Sequence, residues 1–288
     1  AYGKHIDYIS MVSGGEGINF GDCLTKRTNS GALGNKIRAM AFAGYSLGLP
    51  IDYVTVSSTG NALDFGDRTY DTYGAQGVNS STRGIFVGGT GQNIIDYVEI
   101  MTTGNAVDFG DAGARSSYRA AMNSPTRAVL AGGYGGDGST GVGSGIISFI
   151  MASKGNSIAW GDTTAGAHDH INGSSNHVKG VYALGAIQAS PYNSSNGALD
   201  YTILATGGNS TSFGELTIPV GRPAAAASQI RVVIAGGWNR PTDTSTKIKS
   251  IQSILIASEG GAIEFGDLTV ARDQFGGTSD CHGGLGGF

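Results

Sequence analysis

The chain has 288 residues, of which 40% are apolar and 14% are charged, and its formal net charge is −4. Its 18 lysine and arginine residues are scattered along the sequence, which disfavours a nucleic-acid-binding protein. No apolar run approaches the roughly 20 residues of a membrane-spanning helix, and the first residues lack the apolar segment of a signal peptide. We therefore expect no membrane insertion, and we expect any export to use another route.

Glycine supplies 50 residues, well above its usual share of roughly 7%, and six of these glycines belong to a recurring aromatic-Gly-acid motif. The six copies are Phe20-Gly21-Asp22, Phe65-Gly66-Asp67, Phe109-Gly110-Asp111, Trp160-Gly161-Asp162, Phe213-Gly214-Glu215 and Phe265-Gly266-Asp267. The motif returns every 44 to 53 residues, and a period of that length is typical of propellers and repeat arrays. The sequence therefore predicts one repeat domain over residues 1–288 rather than an ordinary single-site enzyme.

Each repeat begins with a tripeptide of the type Ile-Asp-Tyr, twelve residues before most of the aromatics. The copies are Ile6-Asp7-Tyr8, Ile51-Asp52-Tyr53, Ile95-Asp96-Tyr97 and Leu199-Asp200-Tyr201, with degenerate versions at Ile147-Ser148-Phe149 and Ile251-Gln252-Ser253. The residues that follow alternate in the manner of a strand. A Gly-Asn or Gly-Gly turn then leads into the aromatic-Gly-acid strand, so the two strands are predicted to form a hairpin.

Two further strands are predicted in each repeat. A segment rich in Ser, Ala and Gly follows the acid, as at residues 120–124 and 223–228, and small residues suit a crowded innermost strand. A basic residue then opens an apolar run that ends in small residues or glycines: Arg38 to Gly44, Arg83 to Gly89, Arg127 to Gly133, Lys179 to Gly185 and Arg231 to Gly237. Four short strands per repeat are typical of a propeller blade.

The order of the elements at the two ends predicts how the ring closes. The chain starts at the Ile-Asp-Tyr strand, and an irregular basic-to-glycine run, His282 to Phe288, comes last. Pairing these strands would complete one blade and remove the exposed sheet edges of an open array. We therefore predict an all-β fold, a six-bladed β-propeller with four-stranded antiparallel blades, whose ring is closed by strands from both termini. An open solenoid is the alternative.

The repeats resemble two known kinds of protein. Diglycines after apolar strands, such as Val87-Gly88-Gly89 and Ala131-Gly132-Gly133, are similar to those of kelch repeats, as is the aromatic residue downstream. The string Ile-Asp-Tyr, Thr-Gly-Asn-Ala, Asp-Phe-Gly-Asp resembles repeats in tail-fibre-like and other virion structural proteins of tailed bacteriophages, notably marine and cyanobacterial ones. This second resemblance implies a β-propeller exposed on a virion, and it transfers no catalytic residues.

The repeated aromatics and acids are interpreted as structural, because a feature present in every repeat usually serves the fold. The aromatics Phe20, Phe65, Phe109, Trp160, Phe213 and Phe265 are predicted to pack between adjacent sheets. The acids Asp22, Asp67, Asp111, Asp162, Glu215 and Asp267 are predicted to accept backbone N–H bonds or to pair with a neighbouring basic residue. The alternative for the acids is a ring of charges that binds ligands around the axis.

Binding residues are predicted in the longer connections between strands, because the repeat does not constrain them. These connections are residues 132–144, 188–196 and 238–249. They contain Tyr134, Tyr192, Trp238, Asn239 and Arg240, which offer aromatic platforms with amide and guanidinium donors. Such groups suit sugars and protein surfaces alike. The alternative is that these connections are insertions without a role in binding.

Two smaller features are weighed as sites. His168, His170 and His177 carry the ligand chemistry of a transition-metal site, but their segment is rich in Gly and Ser and could be a solvated loop, so we predict no metal and no cofactor. Cys23 and Cys281 both fall in the blade built from the two ends. A disulfide between them and two unpaired thiols are both left open.

Together these features favour a non-enzymatic virion structural protein of a tailed bacteriophage, a tail- or fibre-associated propeller involved in host attachment. Its expected partners are other virion proteins and a glycan or protein on the host cell surface. Its expected location is the outside of the virion, on the tail or the capsid. The alternatives are a capsid or tail decoration or assembly protein, and a cellular carbohydrate-binding or kelch-type scaffold propeller.

Overall fold

The computed structural model describes residues 3–45, 48–113, 115–135, 143–164, 168–188, 193–239 and 246–280. These residues form β-strands, turns and loops, and none of them lies in a helix. Within these ranges there is accordingly no helix that could cross a membrane. The all-β class predicted from the sequence is confirmed.

Five antiparallel sheets of four strands follow one another along the chain, and we number them blades I to V. Blade I contains Gly31–Gly34, Arg38–Phe42, Pro50–Thr55 and Leu63–Asp67. Blade II contains Gln76–Asn79, Arg83–Val87, Ile94–Glu99 and Val107–Asp111. Blade III contains Ala120–Asn123, Arg127–Ala131, Gly145–Ile150 and Ile158–Asp162. Blade IV contains Asn172–Ser175, Lys179–Ala183, Ala198–Ile203 and Thr211–Glu215. Blade V contains Ala224–Ala227, Arg231–Ala235, Ser250–Leu255 and Ile263–Asp267.

The strands of each blade lie side by side in chain order. The first strands of successive blades contact one another, so they surround a common axis, and the fourth strands form the rim. This is the arrangement of a β-propeller.

The number of four-stranded blades differs from the prediction, which was six, whereas the described residues form five. The remaining unit is a two-stranded sheet of Gly3–Tyr8 and Ile18–Arg27, which we call the N-terminal sheet. Residues 270–280 form no strand. The predicted strand from His282 to Phe288 lies outside the described residues.

Short strand pairs that the sequence did not predict extend blades III, IV and V at one end. In blade III, Ser116–Ser117 pairs with Tyr134–Gly135. In blade IV, Ala186–Gln188 pairs with both His168–Asp169 and Asn193–Ser195. In blade V, Trp238–Asn239 pairs with Thr246–Lys247. Blades I and II have no such addition among the residues described.

The apolar core lies between neighbouring blades. Phe42 of blade I meets Phe86 of blade II with ring centroids 4.5 Å apart and an interplanar angle of 65°. The strand Arg83–Val87 is buried on both faces, because each face packs against a different blade. This burial accounts for the continuous apolar run that follows each basic residue in the sequence.

The repeated aromatics pack against the tyrosines of the Ile-Asp-Tyr strands. Phe65 meets Tyr53 at 5.7 Å with its ring at 85°, and Phe109 meets Tyr97 at 5.8 Å and 77°. Phe20, Phe65, Phe109 and Phe213 are buried, whereas Trp160 and Phe265 are partly buried. Edge-to-face contacts of this kind stabilise the sheet beyond the area they bury.

The aromatic-Gly-acid motif joins the rim of one unit to a turn of the next. The Gly104 N–H donates to Phe65 O at 2.8 Å, and the Asp67 N–H donates to Asn105 Oδ1 at 3.0 Å. Gly66 has a φ of 140°, and a Cβ there would lie 2.4 Å from Gly104 O. We call this set of contacts the rim lock. Its backbone bond recurs from Gly60 to Phe20, Gly155 to Phe109, Gly208 to Trp160, Gly260 to Phe213 and Gly15 to Phe265.

Candidate functional site

The two ends of the blades differ in what they carry. In blade II, Gln76 at the start of the first strand pairs with Val87 at the end of the second, so both lie at the same end of the blade. Ile94 at the start of the third strand pairs with Asp111 at the end of the fourth, and they lie at that end too. We call this end of the propeller the mouth face and the opposite end the back face. All the long connections of blades III, IV and V leave from the mouth face.

One residue per repeat adopts a left-handed backbone on the mouth face, and in blades I to V it lies just before the first strand. We call these six residues the mouth ring: Asn29, Gly74, Tyr118, His170, Arg222 and Gln274, with φ between 55° and 71°. Left-handed backbone costs a non-glycine residue roughly 1–2 kcal/mol, and five of the six are not glycine. A conformation retained at that cost in every repeat has a structural cause.

Backbone hydrogen bonds between neighbouring units supply that cause. The Gly74 N–H donates to Asn29 O at 2.9 Å, and the Tyr118 N–H donates to Gly74 O at 2.8 Å. The Gln274 N–H donates to Arg222 O at 3.0 Å. Since these bonds involve main-chain atoms alone, they hold the positions in place whatever side chain each position carries.

The mouth ring surrounds a cavity of about 320 Å³, a volume that includes its opening to solvent. Ser30, Gln76 and Asn172 line it below the ring. A second cavity, about 420 Å³ by the same measure, lies along the axis and is lined by Asn79, Asn123 and other first-strand residues. Polar side chains therefore line both cavities along the axis.

One half of the mouth is aromatic. Tyr118 and His170 stack with their ring centroids 3.8 Å apart and their planes at 22°. The Tyr118 ring also covers Gly74, where a Cβ would lie 2.7 Å from it. Tyr73 lies 6.4 Å from Tyr118, and Tyr45 lies 5.1 Å from Tyr73. The aromatic surface thus extends from the mouth towards blade I.

The other half of the mouth carries a cation and amides. Arg222 forms no ion pair with the described residues, and its buried Nε has no hydrogen-bond partner among them. Its guanidinium carbon lies 5.7 Å from the centre of the Trp238 ring. The Thr28 hydroxyl donates to Gln274 Oε1 at 3.2 Å, which orients that amide. Asn29 adds a buried side-chain oxygen without a partner in the described chain.

Two further cationic side chains, those of Lys247 and Arg119, belong to segments next to the mouth ring. Lys247 pairs with the carboxylate of Asp273. Burial is the largest influence on Lys247 and opposes its charged form, but the favourable interactions, led by the hydrogen bond to Asp273, together raise the pKa of the ammonium. Arg119 is buried and donates to Gly145 O at 3.3 Å. Burial lowers the pKa of Arg119 to about 10, so it is still a cation at neutral pH.

The predicted binding residues are only partly at the surface. Trp238 is 5% exposed, so its ring face is not open as a platform, and it backs Arg222 instead. The Asn239 side chain donates to Pro219 O at 2.7 Å. Tyr134 is half-buried in the strand pair with Ser117. Tyr192 and Arg240 lie outside the described residues. A binding role for these five residues stays a prediction.

The repeated acids act in the rim lock through their backbone. Asp22, Asp67, Asp111 and Asp162 each donate a backbone N–H to an asparagine of the next unit: Asn61, Asn105, Asn156 and Asn209. Their carboxylates make fewer contacts. Asp22 lies 3.2 Å from His5, Asp267 lies 3.2 Å from Lys249, and Asp162 accepts the Ser144 hydroxyl at 3.0 Å.

The aspartates of the Ile-Asp-Tyr strands form buried ion pairs that the sequence did not predict. Asp96 accepts Arg68 Nη2 at 2.7 Å and the Thr69 N–H at 2.9 Å. Asp52 lies 2.9 Å from Arg27. Arg68 lies in the connection that enters blade II and Arg27 ends the second strand of the N-terminal sheet, so each pair links a blade to the unit or connection before it. Both pairs are almost fully buried. They are structural contacts, and neither pair belongs to the mouth ring.

The histidines and cysteines do not assemble into a site. His170 lies at the mouth, whereas His177 lies in a turn on the back face, with its Nε2 2.7 Å from the Gln229 side chain. The part of the chain that the structure describes holds no group of three or more residues suited to a metal ion. Cys23 is a free thiol, and burial raises its pKa to about 11. The side chain of His168 and all of Cys281 lie outside the description.

The mouth ring is the feature that the sequence interpretation missed. The available signal was one position per repeat whose side-chain type changes from copy to copy, directly before the small-residue strand. No glycine marks it in five repeats out of six, so the usual indicator of a left-handed residue is absent from those five.

Comparison with known proteins supports the fold. No protein-family model and no curated protein matches the chain. A solved structure described as "Structure of YjhT" is similar, with a TM-score of 0.71 over 88% of this chain and 87% of that chain. The two sequences are 11% identical, so the likeness concerns the fold alone. The protein is a β-propeller.

Proposed function

We propose that this chain is a virion structural protein of a tailed bacteriophage, a tail- or fibre-associated propeller whose mouth face attaches to the host surface. One observation carries the proposal: all three long connections leave the same face, around six positions that share a backbone and differ in side chain. Rigid scaffolds commonly place recognition on such variable positions.

The sequence resemblance supplies the setting. The repeated Ile-Asp-Tyr and aromatic-Gly-acid elements resemble those of tail-fibre-like virion proteins, and the diglycines resemble kelch repeats. In this setting the protein acts without catalysis on the outside of the particle. Its partners are other virion proteins and a glycan or protein of the host surface. A decoration or assembly protein and a cellular lectin-like or scaffold propeller are the competing functions.

We also propose that residues from both ends complete a sixth blade and close the ring. Contacts on both sides of the N-terminal sheet support this. Gly15 donates to Phe265 O of blade V at 2.9 Å, and Gly60 of blade I donates to Phe20 O at 2.8 Å. These are the rim-lock bonds found between complete blades.

Contacts near the axis also support a sixth blade. A Cβ on Gly276 would lie 2.6 Å from Ala32 N of blade I, and one on Gly277 would lie 2.5 Å from Ala225 O of blade V. Residues 276–277 therefore occupy the space between two first strands. The Ala227 N–H donates to Ser279 Oγ at 3.1 Å, much as first strands contact one another elsewhere.

Truncation tests the closure. Removing Gly283–Phe288 should leave a sheet edge unpaired, and we expect aggregation or a markedly lower melting temperature. Removing Tyr2 and Ala1 from the other end is the control, which should melt like the parent chain. A truncated chain that stays monomeric and melts like the parent would contradict a sixth blade completed by the C-terminal residues.

Adsorption tests the function. A double variant Tyr118→Ala/His170→Ala removes the aromatic half of the mouth, and Val178→Ser on the back face is the control, since Val178 is 59% exposed. We expect the double variant to lose adsorption to host cells while it still enters particles. Loss of incorporation instead would favour the assembly function. Unchanged adsorption and incorporation would contradict attachment through the mouth.

A further inference from the structure

The mouth cavity combines groups that define a ligand class. Arg222 and Gln274 occupy neighbouring positions of the mouth ring, joined by the backbone bond of 3.0 Å. Because Gln274 Oε1 already accepts from Thr28, its amide nitrogen remains the donor that this side chain can offer. A guanidinium beside an amide donor matches the oxygens of a carboxylate or phosphate.

The electrostatic balance favours an anion as well. Asp273, the residue before Gln274, is a carboxylate that already has an ion-pair partner, Lys247. Arg222 has no such partner in the described chain. Its buried Nε is therefore an unsatisfied donor, and a bound oxyanion would offset the cost of leaving that donor without a partner.

The remaining groups point to hydroxyls on the same ligand. Asn29 Oδ1 is a buried acceptor without a partner in the described residues, and it needs an O–H or N–H donor. Asn29 follows Gln274 around the mouth ring, since Ser30 N donates to Gln274 O at 3.4 Å. The stacked pair of Tyr118 and His170 forms the opposite wall, and aromatic walls suit the apolar faces of sugar rings.

We propose that the mouth binds an acidic saccharide, with its carboxylate or phosphate on Arg222 and Gln274 and a hydroxyl on Asn29. This inference rests on the proposed attachment function and names its ligand class. The sugar oxyanion can come from a uronic acid or from a sugar phosphate, and both present the same oxygens to the guanidinium.

Titrations on the purified full chain test the inference with three probes: glucuronate, glucose 6-phosphate and glucose. We expect at least one anionic probe to bind at least tenfold more tightly than glucose, with affinity falling as salt rises. Arg222→Gln should weaken that binding at least tenfold, while Arg231→Gln, on the back face, should leave it unchanged. If Arg222→Gln does not fold, Gln274→Ala replaces it and should weaken binding severalfold.

Equal binding of glucose and both anions, no binding of any probe, or full affinity in the mouth variants would overturn the inference. Its failure can be told from failure of the attachment function. If host adsorption survives Arg222→Gln, the attachment function stands and the acidic saccharide is not its ligand. If the protein binds glucuronate tightly but neither enters particles nor adsorbs to cells, the saccharide site stands and the attachment function is wrong.

Discussion

The rim and the mouth of this propeller differ in what stays constant from one unit to the next. At the rim, the same residue types recur in nearly every unit, because Gly66 and its equivalents must approach the next unit's backbone. At the mouth, the backbone recurs while the side chains change from Asn29 to Gly74 to Tyr118. Uniformity therefore marks what the fold requires, and variation under a constant backbone marks what the fold leaves available for binding.

The lengths of the connections follow the same division. Between the second and third strands, blades I and II use residues 43–49 and 88–93, whereas blades III, IV and V use 132–144, 184–197 and 236–249. Blades I and II have the same four strands as the other three. The additional residues are thus not needed to build a blade, and the connections that contain them leave from the mouth face.

The largest expected effect is at the rim lock. Gly66→Ala places a Cβ 2.4 Å from Gly104 O at a φ of 140°, so we expect the free energy of unfolding to fall by about 4 kcal/mol. Gly91→Ala is the matched control, since its φ is 76° and no atom lies within 4 Å. It should cost about 1 kcal/mol. Chemical denaturation measures both, and similar losses would mean that steric contact at the rim is unimportant.

The buried ion pairs come next. Asp96→Ala leaves the Arg68 guanidinium buried without its carboxylate, and we expect a loss of about 3 kcal/mol. Asp64→Ala, an exposed position on the outer strand of blade I, should change stability by less than about 0.5 kcal/mol. Urea unfolding curves of the two variants provide the comparison. A loss at Asp64 as large as that at Asp96 would refute the assignment of stability to the buried pair.

At the mouth, stability and binding should separate. Arg222→Gly relieves a left-handed backbone with φ of 58°, and we expect the free energy of unfolding to rise by about 1 kcal/mol while binding of acidic saccharides is lost. Gly74→Ala is the opposite change at an equivalent position and should destabilise the protein. Thermal melts report stability and titrations report binding. A less stable Arg222→Gly variant would show that the guanidinium serves the fold.

The smallest effect concerns Cys23 and pH. Burial raises the pKa of this thiol from 9.0 to about 11, so the folded protein binds the proton more tightly than the unfolded chain. The resulting contribution to stability is present below pH 9 and is lost as the pH rises towards 11. Alkylation of the native protein should accordingly be slow at pH 8 and accelerate up to about pH 11. An alkylation rate that levels off near pH 9 would contradict the shift.

Much of the fold followed from local patterns in the sequence. Ile51-Asp52-Tyr53 lies in the third strand of blade I, as its alternation indicated, and Gly104 lies in the turn that precedes the aromatic strand of blade II. Such features depend on neighbours in the chain, which a sequence displays directly. The apolar runs after Arg83 and Arg231 became second strands for the same reason.

Features that depend on distant partners were not predictable in this way. Arg68 and Asp96 lie 28 residues apart, and nothing local marks them as a pair. The exposure of Trp238 depends on how its hairpin folds over Arg222, so a loop aromatic taken for a platform is in fact buried. Residues 270–280 form no strand and are placed by contacts with distant residues, as at Gly276 beside Ala32, so nothing local in the sequence indicated their position.

The main-chain bonds of the mouth have an evolutionary consequence. Because the amide of Tyr118 bonds to a carbonyl of the preceding unit, the position keeps its geometry when its codon changes. A lineage that inherits this scaffold can therefore change the side chains held by these bonds through single substitutions, without first acquiring compensating changes in the scaffold. Selection by a changing partner would act on those codons and leave the glycines of the rim untouched.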